Sequence, residues 1–168
     1  MASADFIPIE VTVDGLVIAA DVVPRETLAD FLRLKAQATS VHIGCNQGIC
    51  GACTVVMDGS PVRACLIFAI QADRACVATV ASLAALAHES MDEQGMTALQ
   101  RAFQRHHALQ CGFCTPGLLV ATTLFLAENP SPDHDAILDH LNGHLCRCTG
   151  YASIIAAIES VVAERQAR

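Results

Sequence analysis

Eight of the nine cysteines in this 168-residue chain fall into two groups of four, and no other feature limits its folding so strongly. The first group is Cys45, Cys50, Cys53 and Cys65, three of them inside the stretch GCNQGICGAC at 44–53. The second is Cys111 and Cys114 in QCGFCTPG, followed after 31 residues by Cys146 and Cys148 in LCRCTG. Glycine loses backbone entropy when it is ordered, so a loop this rich in both residue types must wrap around something. The odd cysteine count argues against a disulfide scaffold. So does the opening MASADFIPIE, which lacks a basic region, an apolar core or a twin arginine. In a reducing compartment, clustered thiols mean metal or redox chemistry, and a cytoplasmic location is expected.

Composition narrows the partners. A formal charge of −7 disfavours nucleic acid and anionic membrane surfaces. Hydrophobic residues make up 53% of the chain and charged residues only 16%, yet the longest apolar run, PGLLVATTLFLA at 116–127, is too short to span a bilayer. The expectation is a subunit with no membrane span whose surface is largely covered by other chains.

The chain changes character near residue 81. IPIEVTVDGLVIAADV alternates around Asp14-Gly15, and ACTVVMDGSPVRACLIFAI gives a second hairpin around Asp58-Gly59. Between them ETLADFLRL at 26–34 reads as a short amphipathic helix with Thr27 as its cap, and ACVATV at 75–80 reads as a further strand. Beyond residue 81, MTALQRAFQRHHAL, PGLLVATTLFLAEN, PDHDAILDHLNG and YASIIAAIESVVAERQ are four helical stretches, with Pro116 suited to a first turn. The pattern predicts a β-rich domain over 1–80 and an all-helical domain over 81–168.

The spacing Cys45-x4-Cys50-x2-Cys53, with Cys65 further on, is the plant-type ferredoxin arrangement for a [2Fe–2S] cluster. Gly44, Gly48 and Gly51 allow the curvature and the approach of N–H groups to the cluster, and Cys65 closes the site from the far strand of the hairpin. Four thiolates also suit structural zinc, but zinc sites pair two-residue knuckles and fit a five-residue step poorly. In the second group CGFC alone could be a thioredoxin-like dithiol, which would require a βαβ setting. Here both pairs stand at helix starts, where dipole and N–H groups favour thiolates, and spacing favours a second cluster bound by Cys111, Cys114, Cys146 and Cys148. Cys76 has no partner and is expected to be a buried, inert thiol. No cysteine is followed by His at Rieske spacing, so His106 and His107, read as mid-helix, and His144 are expected to pack or cap. No acid/base pair and no phosphate loop marks a substrate site on the chain itself.

HIGCNQGICGACTVVMDG, QCGFCTPG and LCRCTGY, in that order, resemble the small iron–sulfur subunit of molybdenum hydroxylases, the xanthine dehydrogenase family, over roughly residues 5–162. The resemblance implies an α+β chain: an N-terminal β-grasp, ferredoxin-like domain followed by a C-terminal four-helix-bundle [2Fe–2S] domain. It implies a large subunit carrying molybdopterin, in a dinucleotide form, an FAD-binding medium subunit, and a heterotrimer that dimerises. Electrons would pass from the molybdenum centre to the cluster of the helical domain, then to the plant-type cluster, then to FAD or another acceptor. Gln110 matches the family glutamine that touches the pterin, and Cys148 the ligand nearest to it. Many relatives carry GNLCRC where this chain has GHLCRC, so His144 is expected to alter a local hydrogen bond or a subunit contact.

Two other functions remain at this point. A free two-cluster ferredoxin would need a well-solvated, charged docking face, which the low charge fraction disfavours. A zinc-stapled interaction module would be colourless and free of iron.

Overall fold

The computed structural model describes residues 6–167. Strands β1 (Ile7–Val13) and β2 (Leu16–Val22) form the first hairpin, β3 (Thr54–Met57) and β4 (Ser60–Arg63) the second, and β5 (Cys76–Ala78) lies between the two. The sheet order is β2-β1-β5-β3-β4, with β1 and β5 parallel and every other pairing antiparallel. Both hairpin turns place two residues at positive φ, Asp14-Gly15 and Asp58-Gly59, the backbone that two-residue turns between twisted strands require. Helix α1 (Leu28–Leu34) starts where Thr27 accepts the Asp30 N–H at 3.1 Å, and it buries Leu28, Ala29, Phe31 and Leu32 against the sheet's core.

The remaining helices are α2 (Leu83–Ala87), α3 (Ala98–Arg105), α4 (Thr115–Glu128), α5 (His134–Leu141) and α6 (Ala152–Gln166). The chain is therefore α+β. No described helix is long and apolar enough to cross a membrane. Helix α3 opens with a reciprocal cap, Thr97 Oγ1 accepting from Gln100 N while Gln100 Oε1 accepts from Thr97 N. Helix α4 buries residues around its whole circumference, as a central helix must. The short α2 is an addition to the four helical stretches expected.

Strand β3 joins two separate cores. Val55 belongs to the cluster under α1, whereas Val56 belongs to the cluster formed by α3–α6. Alternation along one strand thus presents one valine to each side. Asp14 ties the first hairpin to the start of the helical half, accepting at 2.7 Å from Thr79 N, Thr79 Oγ1 and Ser82 Oγ.

Two expectations are corrected. His106 and His107 are not mid-helix: α3 ends at Arg105, His106 caps it, and His107 turns the chain at φ 51°. Cys76 is exposed rather than buried, because Val77 takes the inward position on β5 and its neighbour must face outward.

Candidate functional site

The loop from Gly44 to Cys53 curls so that two backbone donors, Gln47 N and Cys50 N, point at Cys45 Sγ, each at 3.3 Å. Those donors, Cys50 foremost, lower the Cys45 thiol to about 6. Cys53 has the opposite environment: it is buried, and burial pushes its thiol up to about 11. A thiolate there requires a cation beside it. Cys65 is delivered by a 3₁₀ turn, Ala64–Leu66, immediately after β4 rather than by the strand itself. The curvature depends on glycine at Gly51, where φ is +77° and a Cβ would lie 2.5 Å from His144 Cδ2.

The second group gathers at the starts of α4 and α6. Cys114 is the N-cap of α4, and Cys146 and Cys148 lie in the turn leading to Tyr151, the N-cap of α6. Cys111 and Cys148 stand with their sulfurs 3.5 Å apart. Burial, followed by the neighbouring Cys146, pushes Cys114 up to about 12. The eight thiols form neighbouring pairs: Cys45 with Cys50, Cys53 with Cys65, Cys111 with Cys148, and Cys114 with Cys146. Among the described residues, no three His, Cys, Asp or Glu side chains gather as a single-ion site. Two pairs per group is the donor set a two-iron cluster takes, one pair per iron.

The two groups touch. Leu145 N donates to the carbonyl of Cys50 at 2.9 Å, so the residue before Cys146 is hydrogen-bonded to a member of the first group. His42, just before the first loop, donates through Nδ1 to the Phe113 carbonyl at 2.8 Å, and its ring stacks on Phe113 with centroids 4.7 Å apart. Helix α4 starts directly on the first loop. A Cβ at Gly117 would lie 2.3 Å from the Gly51 carbonyl, so only glycine fits.

His144 fills the seam beside Gly51 and is 5% exposed. Arg63 Nη1 faces its Nε2 at 3.3 Å, and Arg63 Nη2 donates to the Gly143 carbonyl at 2.5 Å. A guanidinium can only donate, so Nε2 is the acceptor and the ring proton resides on Nδ1. That Nδ1 is buried without a partner. Burial, then the charge of Arg63, lowers His144 to about 3. Sequence spacing left this Arg63–His144 contact unseen, since it joins residues 81 apart. Gln110 is exposed on the approach to Cys111. Ile49, Leu66, Leu109, Phe113 and Leu145, each close in sequence to a cysteine of the two groups, are large apolar side chains left exposed.

Residues 11–81 match the 2Fe-2S iron-sulfur cluster binding domain family, and residues 83–159 match the [2Fe-2S] binding domain family. The nicotine 6-hydroxylase small subunit of Paenarthrobacter nicotinovorans is 45% identical over 155 residues, covering 92% of this chain and 89% of that one. The xanthine dehydrogenase iron-sulfur-binding subunit of Escherichia coli O157:H7 is 38% identical, covering 94% and 96%. In the crystal structure of quinoline 2-oxidoreductase from Pseudomonas putida 86, one chain superposes with a TM-score of 0.85 at 46% identity, covering 97% of both chains. Two cluster-binding domains in series and relatives matched along nearly their whole length leave one assignment: the chain belongs to the small [2Fe–2S] iron–sulfur subunits of molybdenum hydroxylases.

Proposed function

We propose that this chain relays electrons through its two clusters in a fixed order, from a molybdopterin-bearing large subunit to the helical half, then to the sheet half, and on to FAD of a medium subunit or another acceptor. The observation that carries the relay is the hydrogen bond from Leu145 N to the Cys50 carbonyl, which connects the two thiol groups through a few bonds of backbone; the order follows from membership of the family. Cys111, Cys114, Cys146 and Cys148 hold the cluster nearer the pterin, and Cys45, Cys50, Cys53 and Cys65 hold the other. Each cluster, when bound, stores and releases one electron. The chain's own residues do the rest. Backbone N–H groups stabilise Cys45 as thiolate, the buried positions of Cys53 and Cys65 exclude water, and the seam of Gly51, Gly117 and His144 fixes the spacing between the groups.

In this reading the sheet and α1 make a β-grasp, ferredoxin-like domain over 1–80. Helices α3–α6 make a four-helix-bundle domain within 81–168. The two cluster-family matches, which meet between residues 81 and 83, support that division. The exposed apolar side chains around both thiol groups supply docking area for the large and medium subunits, in a heterotrimer that dimerises in the cytoplasm.

Gln110 offers an amide with both donors and an acceptor toward the pterin, one residue before Cys111, whose sulfur stands 3.5 Å from that of Cys148. Co-purification tests the assembly: tagged chain is expected to bring a molybdopterin-bearing subunit with it in a stable complex. Gln110→Ala should leave both clusters loaded yet lose pterin more readily, by an equilibrium factor of about fivefold for one hydrogen bond. Recovery of the chain alone, iron-loaded and monomeric, would favour a free ferredoxin; unchanged pterin retention would remove Gln110 from the site.

A further inference from the structure

We infer that Tyr151 is a positioning residue for electron transfer between the two clusters: its hydroxyl fixes the peptide joining His144 to Leu145, and that peptide makes the contact with Cys50. The hydroxyl donates to the His144 carbonyl at 2.9 Å and accepts the Cys146 N–H at 2.9 Å. In a trans peptide the C=O and the following N–H point in opposite directions. A peptide whose carbonyl is held by Tyr151 must therefore aim its N–H to the other side, where Leu145 N meets the Cys50 carbonyl at 2.9 Å. Hydrogen bonds in series polarise one another, so the phenol strengthens the bond it does not touch.

The phenol is itself held rigidly. Tyr151 has φ 68°, in the left-handed region that bulky residues rarely adopt, and its N–H donates to Thr149 Oγ1 at 3.2 Å. Its ring packs against the helical core. The scaffold therefore dictates where the hydroxyl sits, and the hydroxyl dictates where the 144–146 segment sits. There is also an electronic consequence. Cys50 N donates to a sulfur, Cys45 Sγ, whereas Cys146 N is occupied by an oxygen and withheld from the cluster. N–H donation to cluster sulfurs favours the reduced form, so Tyr151 keeps the potential of the helical-half cluster down.

The inference rests on the two-cluster reading, and its test separates the two. In the assembled complex, Tyr151→Phe is expected to retain both clusters. The midpoint potential of the helical-half cluster should move positive while that of the other stays. The Leu145 amide should exchange with deuterium, and electrons should cross between clusters, with rates changed by about fivefold, faster exchange and slower transfer. An iron-loaded variant with unchanged Leu145 exchange and unchanged potentials would overturn the inference. A wild-type complex lacking iron would instead overturn the two-cluster reading. Should the variant fail to assemble, wild-type complex decides: the Leu145 and Cys146 amides should open together at one rate, and a freely exchanging Leu145 beside a protected Cys146 would overturn the role.

Discussion

Cys50→Ser in the assembled complex is expected to perturb or abolish one of two iron–sulfur EPR signals and to leave the other intact. Cys50 belongs to the loop under the sheet core, and its sulfur pairs with Cys45. The four thiols of the other group stand at the starts of α4 and α6, on a different core. The contact between groups uses the backbone carbonyl of Cys50, which serine retains, so the seam survives the substitution. Turnover with the terminal acceptor should fall to background, while substrate still bleaches the molybdenum centre in a single turnover. Loss of both signals from a soluble, assembled complex would contradict the division of the thiols into two independent groups.

Acid should weaken the fold through half-buried His140 on α5 and buried His144 in the seam. His140 stacks on Phe125 with centroids 4.4 Å apart, and its Nε2 lies 3.1 Å from Thr122 Oγ1. Burial, then the charge of Arg63, lowers its pKa to about 4. The unfolded chain binds a proton near pH 6.5 and the folded chain does not until near pH 4, so the unfolded state gains protons first as pH falls. Stability is therefore full above pH 6.5 and declines between 6.5 and 4. From pH 7 to pH 5 the loss attributable to His140 is about 2 kcal/mol. His144, lowered further by burial, adds to the decline. His140→Gln removes one titration. Its urea midpoint, followed with the clusters in place, should fall less between pH 7 and pH 5 than the wild-type midpoint. Equal acid slopes in the two proteins would show that His140 does not contribute.

Local chemistry made much of the fold legible. The turns at Asp14-Gly15 and Asp58-Gly59, the Thr27 cap and the Pro116 helix start all lie where their residue types demand. Cysteine spacing likewise suggested two groups, and the structure brings thiols together in pairs within each. What spacing could not give was the cross-pairing, in which Cys111 stands beside Cys148. That depends on how the starts of α4 and α6 come together in three dimensions, which residue spacing does not specify. The Leu145–Cys50 contact is backbone to backbone and has no side-chain signature. Arg63, His144 and Thr54 come together only because β3, β4 and the turn before Cys146 converge. The exposure of Cys76 follows from strand register, and register is fixed only once Val77 has found the core.

The central claim, two clusters in one relay, is tested most directly by quantitative EPR of the fully reduced complex together with its metal content. The account predicts about four irons and four acid-labile sulfides per chain. It also predicts two distinct rhombic signals of equal intensity, each integrating to about one spin per chain and broadened by the other across the short seam. A single signal from fully loaded protein, or stoichiometric zinc in place of iron in either group, would contradict it.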